Sequence, residues 1–198
     1  EESFIFICNR EHIEKNNLRK ILLDIKPNCE IIEIDYKKMG PVYSISKAFE
    51  KIDDNDEIVI SYCDYGTVWS YADFLKDIKN RDLHGSIACY TGFHPHMLGS
   101  DNYAFVKEKN LFAEEVREKM PFTDDKMSEF ASNGTYFFRN GKILKKYLNL
   151  LLESGESING EYYVSLAYNR MIEDGLRIGV FEIEKMLQWG TPYDLSNY

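Results

Sequence analysis

The segment EIVISYCDYGTVWSY, residues 57–71, decides how the chain is interpreted. Its first half is an apolar run rich in β-branched residues, which is typical of a buried β-strand. The run stops on Asp64 and gives way to a polar turn that contains several aromatic residues. Asp64 could hold a Mg²⁺ ion, because ligands of open α/β sheets bind beyond the carboxyl ends of the strands. Alternatively, Asp64 or Thr67 caps a helix that begins near Ser70.

Strand-like and helix-like segments alternate through the first ninety residues. The predicted strands are 3–9, 29–35, 57–63 and 85–91, and the predicted helices are 11–25, 41–52 and 71–80. This alternation predicts a parallel sheet that helices cover, with a first strand buried on both of its faces. Antiparallel strands are predicted at 102–119 and 129–141, helices at 142–155 and 161–175, and a last strand at 177–183. The whole chain, 1–198, is therefore predicted to be one α/β domain with a Rossmann-like sheet, mixed but mostly parallel and flanked by helices.

Composition excludes some classes of partner. The 198 residues include 24 Lys and Arg against 33 Asp and Glu, a formal charge of −9, and no basic block interrupts the acidity. We therefore expect neither nucleic-acid nor membrane binding, although a local basic pocket could still hold a small anion. The apolar runs are far shorter than the ~20 residues that cross a bilayer. No CxxC pair occurs, and Cys8, Cys63 and Cys89 lie in or beside apolar runs, which predicts reduced core thiols in a cytoplasmic protein.

Two histidines stand close together in CYTGFHPHML, residues 89–98. His94 and His96 flank Pro95, and residues two apart in an extended segment point the same way, so the imidazoles could form a small clamp. Such a clamp could recognise an anionic acceptor such as a phosphate or carboxylate. A zinc pair and a purely structural loop are the alternatives, and the sequence leaves all three open.

Charged residues also mark two later positions. Lys119 lies at a predicted strand end beside Arg117 and Glu118, where it could neutralise a phosphate or simply belong to a solvated charge cluster. Glu161 lies in the first turn of a predicted helix, where a carboxylate is favourable for the helix dipole whatever its function.

Taken together, these segments resemble the sugar-phosphate nucleotidyltransferases, the nucleoside-diphosphate-sugar pyrophosphorylases with a glycosyltransferase-A-like fold. The resemblance extends over nearly the whole chain. GPVYSISKA (40–48) resembles the glycine-containing loop that meets the nucleotide base, which implies that Gly40 and Pro41 bind substrate. VISYCDYG (59–66) resembles the strand that delivers the metal-binding aspartate, which implies that Asp64 is catalytic and holds Mg²⁺, with Tyr65 beside the substrate.

The acceptor side of the resemblance rests on three further elements. REKMPF (117–122) resembles the Glu-Lys-Pro element with one inserted residue, and SNGTYFF (132–138) is similar to the Gly-x-Tyr-Phe strand at the acceptor pocket. NGEYYVSLAYN (159–169) resembles the segment whose glutamate contacts the acceptor. The implied roles are phosphate contact for Lys119 and substrate binding for Glu118, Asn133, Gly134 and Glu161.

The chain end QWGTPYDL (188–195) resembles the closing Gly-Thr-Pro-x-Asp-Leu element and implies that Trp189 also binds substrate. The pairing of this element with GFHPHML (92–98) resembles a subgroup found among genes for capsular or surface polysaccharides. That subgroup includes cytidylyl-type transferases, so the resemblance favours CTP.

Two departures from the family pattern matter. The family begins with a strand and a glycine-rich loop that wraps the triphosphate, and nothing in this chain matches them. We therefore expect the sequence to lack that segment and to be a poor catalyst as it stands. Many relatives also carry a second metal-binding aspartate just before the late Gly-Thr, where this chain has Gln188 and Trp189.

The resemblance implies transfer of a nucleotidyl group from a nucleoside triphosphate to a phosphorylated sugar or similar small acceptor, with Mg²⁺ as the cofactor and with release of pyrophosphate. A homodimer is possible. A glycosyltransferase that uses a nucleotide sugar is one alternative, but it would need a DxD pair where CDYG (63–66) offers one aspartate. A nucleotide-fold module that only binds is the other.

Overall fold

The computed structural model describes residues 2–196, and its first part is a small layer of its own. β1 (Ile5–Asn9) and β2 (Glu30–Ile34) form a two-stranded parallel sheet, and α1 (Arg10–Lys15) and α2 (Leu18–Ile25) connect them. The single helix predicted over 11–25 is wrong, because Asn17 adopts a left-handed φ of 51° and divides it. Asparagine tolerates this conformation better than most residues.

The burial predicted for the first strand is also wrong. Every residue of β1 is half-buried, and no residue from 2 to 41 is fully buried. Apolar side chains of α2 lie open to solvent, with Ile25 73% exposed. The apolar run predicted a strand correctly, but β1 has a strand neighbour on one edge only among the described residues.

The remaining strands build a closed sheet and a separate ribbon. They are β3 (Ile58–Ser61), β4 (Tyr65–Val68), β5 (Gly85–Tyr90), β6 (Ala104–Lys109), β7 (Phe112–Glu118), β8 (Phe130–Phe138), β9 (Ile178–Glu182) and β10 (Lys185–Gln188). The order in the six-stranded sheet is β3-β8-β5-β9-β7-β6, and β6 also pairs with β8, which closes the sheet into a barrel-like arrangement. β4 and β10 pair with each other as an antiparallel ribbon that the sequence pattern did not predict.

The prediction of a mostly parallel sheet needs correction. Only the pairs β1–β2 and β5–β9 are parallel in the described part of the chain. The long strand β8 lies between β3 and β5 and pairs antiparallel with both, so β3 and β5, which follow each other in the predicted parallel order, do not pair.

Five more helices complete the fold: α3 (Pro41–Ser46), α4 (Tyr71–Asn80), α5 (Gly141–Ser154), α6 (Val164–Glu173) and α7 (Pro192–Ser196). The predicted helix over 71–80 is confirmed as α4, and those over 142–155 and 161–175 as α5 and α6. α6 begins only at Val164, so Glu161 lies before the helix and not in its first turn, as part of an isolated bridge with Ile158. The predicted helix over 41–52 ends early as α3 and continues as a 3-10 turn at Phe49–Lys51. None of the helices in residues 2–196 is long and apolar enough to cross a membrane.

The core lies on both faces of the closed sheet. β5 is buried along its whole length, with Ile87 and Cys89 in the largest apolar cluster and Ala88 and Tyr90 in a second one. α5 and α6 supply much of the first cluster, and α4 contributes to a third one against Phe137. The thiols agree only in part with expectation, because Cys89 is buried whereas Cys63 is exposed.

Candidate active site

Asp64 lies where β3 gives way to the β4–β10 ribbon. Tyr65 is opposite Gln188 in that ribbon, and the Trp189 amide donates to the Asp64 carbonyl oxygen over 2.9 Å. A Cβ added to Gly190 would lie 2.8 Å from Asp64 Oδ2, so the carboxylate rests directly over this glycine. The ribbon thus holds Asp64 against the Gly-Thr segment that follows β10.

Neither candidate side chain caps α4. The cap is Ser70, whose Oγ accepts from the Asp73 amide at 3.2 Å. Thr67 Oγ1 instead accepts from Asn133 Nδ2 at 2.9 Å. The Asp64 residue is exposed, and no basic side chain within residues 2–196 forms an ion pair with it. Its carboxylate is therefore available to a ligand.

A Mg²⁺ ion would find one suitable carboxylate at this point. No group of three or more His, Cys, Asp or Glu side chains in the described chain is arranged to hold a metal ion. Mg²⁺ is commonly bound through one or two carboxylates together with substrate phosphates and water, rather than by a complete protein cage. The exposed Asp64 fits that mode of binding and does not fit a metal site made of protein ligands alone.

Tyr103 connects Asp64 with the second charged group. The Lys119 amide donates to the Tyr103 carbonyl oxygen at 2.9 Å. Burial raises the pKa of the Tyr103 phenol well above its usual range, and the nearby carboxylates of Asp194 and Asp64 raise it further. The Tyr103 backbone is thus bound to the Lys119 backbone, and the Tyr103 phenol lies near the carboxylate of Asp64.

Lys119 is the first residue after β7 and has a left-handed φ of 57°. Its Nζ donates to the Tyr163 phenol oxygen at 2.5 Å, and that phenol donates to Glu161 Oε2 at 2.6 Å. A lysine, a tyrosine and a glutamate thus form one hydrogen-bonded row. We call this set, Lys119, Tyr163 and Glu161, the bridged row.

Glu118 points the opposite way from Lys119, into the protein. It is 8% exposed and accepts from Ser165 Oγ at 2.5 Å. Burial raises the pKa of this carboxyl to about 7, although the Ser165 hydrogen bond and the Lys119 charge lower it. Its role in substrate binding stays a prediction.

The strand β8 supplies a polar support beneath Tyr65. Asn133 Oδ1 accepts from the Thr135 amide at 2.9 Å, and the Tyr65 hydroxyl lies 2.6 Å from Thr135 Oγ1. Gly134 has φ of 95°, and a Cβ there would lie 3.0 Å from the rings of both Tyr62 and Tyr65. A larger residue at this position would displace these rings.

The loop that contains Gly40 and Pro41 is attached to the segment of Glu161. Gly40 has φ of 80°, and a Cβ there would lie 2.6 Å from the Tyr162 amide nitrogen. The Val42 amide donates to the Tyr162 carbonyl oxygen at 3.1 Å. This close backbone approach brings the predicted base-binding loop next to the bridged row.

The two histidines are engaged within the protein. His94 is 6% exposed and its Nε2 accepts from the Met186 amide at 3.3 Å, while His96 Nε2 lies 2.9 Å from the Tyr90 hydroxyl. Burial lowers the pKa of both imidazoles, that of His96 to about 4 with a further contribution from His94. Both rings are neutral at pH 7, which disfavours a cationic clamp, and anion recognition by this pair stays a prediction.

Known proteins resemble this chain in structure far more than in sequence. No family model matches the sequence, and no curated protein matches it. A nucleoside-diphosphate-sugar pyrophosphorylase from Vibrio cholerae RC9 superposes with a TM-score of 0.75 at 20% identity, covering 100% of this chain and 80% of that one. A UDP-glucose pyrophosphorylase complexed with UDP-glucose gives 0.72 at 15%, covering 98% and 77%. The inositol-1-phosphate CTP transferase of T. maritima gives 0.67 at 13%, covering 98% and 72%.

This chain shares the fold of these three proteins. At these identities the likeness concerns the fold alone. The fold brings Asp64, Tyr65 and Trp189 together at the ribbon. It brings Lys119, Glu161, Gly40 and Pro41 together at the start of α6.

Three residues of this region were missed by the sequence analysis, namely Tyr103, Tyr163 and Asp194. The tyrosines have no local signal, because an aromatic residue next to an apolar run usually belongs to the core. Asp194 had a signal in its spacing after Thr191, whose Oγ1 lies 2.6 Å from the Asp194 Oδ2. This carboxylate, like that of Asp64, lies near the Tyr103 phenol.

Proposed function

We propose that this protein transfers a nucleotidyl group from a nucleoside triphosphate to the phosphate of a small phosphorylated acceptor. An acceptor phosphate oxygen forms the bond to the α-phosphorus, the bond from that phosphorus to the β-phosphoryl oxygen breaks, and pyrophosphate leaves. The proposal is carried by an exposed carboxylate, Asp64, near the Tyr103 phenol, and by Lys119, whose backbone amide binds the Tyr103 carbonyl oxygen, in a chain whose structural neighbours are nucleotidyltransferases.

The reaction needs no covalent enzyme intermediate. It needs two polyanions held in line and the charge that develops between them neutralised. Lys119 compensates negative charge on the acceptor or α-phosphate, and Glu161 accepts hydrogen bonds from acceptor hydroxyls. Asp64 would hold a Mg²⁺ ion, which supplies further positive charge to the nucleotide phosphates. Gly40 and Pro41 would lie against the base, and Trp189, with Gly66 against its ring, would close the pocket beside Asp64.

The finer part of the proposal concerns substrate and setting. We propose CTP as the preferred nucleotide and a phosphorylated sugar or related polyol as the acceptor, within the synthesis of a surface or capsular polysaccharide in the cytoplasm. The CTP preference is supported by the resemblance of QWGTPYDL and GFHPHML to cytidylyl-type transferases. A homodimer is part of the same proposal.

Nucleotide binding tests the proposal directly. Calorimetry of the 198-residue chain with CTP and with UTP, each with and without Mg²⁺, is expected to show binding that is tighter with the metal and tighter for CTP. Pyrophosphate release on addition of phosphorylated sugars and polyols then identifies the acceptor. Absence of metal-dependent nucleotide binding would favour a module that only scaffolds.

The Asp64→Asn variant tests the metal-binding carboxylate. Because Asp64 is exposed, the fold should be unaffected, while turnover should fall roughly a hundredfold, equivalent to about 3 kcal/mol of transition-state stabilisation. Asp56→Asn, an exposed aspartate just before β3, is the matched control and should retain full activity. Wild-type turnover in Asp64→Asn would remove this residue from the site.

A glycosyltransferase is the second candidate. The observation that would favour it is sugar transfer from a nucleotide sugar without pyrophosphate, and the single aspartate of CDYG argues against it. Incubation with cytidine and uridine nucleotide sugars distinguishes nucleotidyl transfer from sugar transfer, because only nucleotidyl transfer is accompanied by exchange of pyrophosphate.

A further inference from the structure

In the bridged row, a neutral phenol lies between two side chains of opposite charge. Lys119 and Glu161 have opposite charges and lie on the same phenol oxygen, yet they do not form an ion pair with each other among the described residues. The Tyr163 phenol oxygen accepts a hydrogen bond from the Lys119 ammonium, and the phenol donates its only proton in a hydrogen bond to the Glu161 carboxylate. Tyr163 therefore hydrogen-bonds to both charged groups at once. Lys119 Nζ also lies 4.4 Å from the centre of the Tyr163 ring.

A second row in the same molecule shows the other outcome. Lys146 Nζ lies 3.2 Å from the Tyr147 hydroxyl, which donates to Asp174 Oδ2 at 2.7 Å, so this row also joins an ammonium, a phenol and a carboxylate. There, however, the ammonium also contacts the Asp174 carboxylate directly at 2.9 Å. A direct pair of this kind compensates the positive charge of the lysine, whereas the neutral phenol between Lys119 and Glu161 does not.

The backbone fixes both ends of the bridged row. The Lys119 amide is bound to Tyr103, as described above, and Tyr163 is the residue that precedes the first turn of α6. Glu161 and Ile158 exchange two backbone hydrogen bonds of 3.0 Å each. The Tyr162 amide donates to the Met39 carbonyl oxygen at 2.9 Å. The phenol therefore connects two anchored segments.

We propose that Tyr163 is a positioning residue that keeps the Lys119 ammonium separate from the Glu161 carboxylate, so that the ammonium is free to bind a phosphate. This inference rests on the nucleotidyl transfer proposed above and deepens it. It also specifies the acceptor class: a phosphate that reaches Lys119 and a hydroxyl that reaches Glu161 must lie close together, as they do in polyol phosphates and sugar phosphates. Burial and the Glu161 contact raise the pKa of the phenol well above its usual range, so it stays neutral during the reaction.

Phosphate binding tests this role without requiring turnover. Inorganic phosphate is titrated into the 198-residue chain while the side-chain NMR signal of Lys119, assigned with Lys119→Met, is followed. Tyr163→Phe keeps the ring but removes the oxygen, and Lys119 is then expected to pair with Glu161. The phosphate affinity should fall about tenfold, the size of one hydrogen bond to a charged group. Tyr147→Phe removes the hydroxyl from the second row, formed by Lys146, Tyr147 and Asp174, and should leave the phosphate affinity unchanged.

A rescue distinguishes positioning from a loss of structure. In the double variant with Tyr163→Phe and Glu161→Gln the competing charge is gone, so phosphate affinity should return to within about threefold of wild type. A purely structural defect would persist in the double variant. The proposal is overturned if Tyr163→Phe binds phosphate like wild type, if the double variant does not recover, or if phosphate leaves the Lys119 signal of the wild type unchanged.

Pyrophosphate release is measured on the same proteins. If the expected phosphate pattern is found but wild type releases no pyrophosphate with any nucleotide and acceptor, the proposed reaction fails and the positioning role stands. If wild type releases pyrophosphate and Tyr163→Phe has an unchanged KM for the acceptor, the positioning role fails and the reaction stands.

Discussion

The strands β1 and β5 have similarly apolar sequences but are buried to different extents. β5 is buried at all six positions, because β8 and β9 pair with its two edges and apolar clusters cover both of its faces. β1 is half-buried throughout and pairs only with β2 among the described residues. An apolar run therefore specifies a strand, whereas the number of strands and apolar clusters packed around that strand decides how much it contributes to stability.

β1 lies near another strand, β3, but does not pair with it in the described part of the chain. Burial raises the pKa of the Cys8 thiol, and the nearby Cys63, which follows β3, raises it further. Ile7 packs against the main cluster, as Ile58 and Ile60 of β3 also do. β1 thus lies near β3, yet no hydrogen bonds join these two strands in residues 2–196, and each has one edge without a strand partner.

The largest expected effect is a difference in stability between substitutions in the closed sheet and in the β1–β2 layer. Phe105→Ala in β6 removes a fully buried ring and should lower the free energy of unfolding by about 4 kcal/mol, through lost burial and the cavity left behind. Phe6→Ala in half-buried β1 should cost roughly 1 kcal/mol. Urea unfolding of both variants makes the comparison, and equal losses would show that the β1–β2 layer is packed as tightly as the closed sheet.

A second test uses the pH dependence of stability. The folded pKa of Glu118 is raised by burial to about 7, above its ordinary 4.5, so the folded chain binds more protons than the unfolded chain between these values. Stability should therefore fall as pH rises from about 4.5 to about 7, by a total on the order of 3 kcal/mol. Glu118→Gln, which cannot ionise, should be more stable than wild type at pH 8 and similar at pH 5.

The matched control for that test lies in the β1–β2 layer. Glu33 of β2 is only partly buried and pairs with Arg19. An exposed pair of this type contributes little, so Glu33→Gln should change the free energy of unfolding by less than about 1 kcal/mol at either pH. Equal pH slopes in wild type and Glu118→Gln would show that Glu118 is not the titrating group.

A third test concerns the ribbon that carries Asp64. A methyl group at Gly190 would lie 2.8 Å from both Asp64 Oδ2 and Gln188 Nε2, so both of these side chains would have to move. Gly190→Ala should weaken Mg²⁺-dependent CTP binding about tenfold, equivalent to about 1.4 kcal/mol. Gly99→Ala, whose added Cβ meets only the His96 carbonyl oxygen at 3.5 Å, should bind as wild type does in calorimetry.

The smallest expected effect is in α2. Ile25 is 73% exposed, so Ile25→Ala should change the free energy of unfolding by less than about 0.5 kcal/mol. A cost above roughly 1.5 kcal/mol, as expected for a buried isoleucine, would mean that another surface covers α2 in solution. Thermal unfolding at two protein concentrations would then show whether that surface belongs to a second copy.

Much of the secondary structure could be predicted from the sequence, because its signals are local. Ser70 and Asn140 cap α4 and α5 through their own side chains, and Gly155 ends α5 in a left-handed conformation. The ribbon was missed because each of its strands has four residues, too few for a clear alternation. The division of the first predicted helix was missed because asparagine is compatible with both conformations.

Candidate site residues were predictable where a motif marks them and not where distant neighbours define them. Asp64 and Lys119 follow strands and Glu161 precedes α6, and the resemblance to nucleotidyltransferases predicts that they belong to the site, which stays a prediction. Tyr163 lies 44 positions from the lysine that it contacts, and nothing next to it in sequence indicates this partner.

The sequence by itself determined which segments are strands and helices, where most of them end, and which charged residues follow them, since these depend on side chains within a few positions. The tertiary structure alone decided that β8 lies between β3 and β5, that β1 remains half-buried, and that a phenol separates Lys119 from Glu161. Each of these depends on contacts between segments far apart in the chain, and the free energy of such contacts is set by packing and geometry that no local pattern contains.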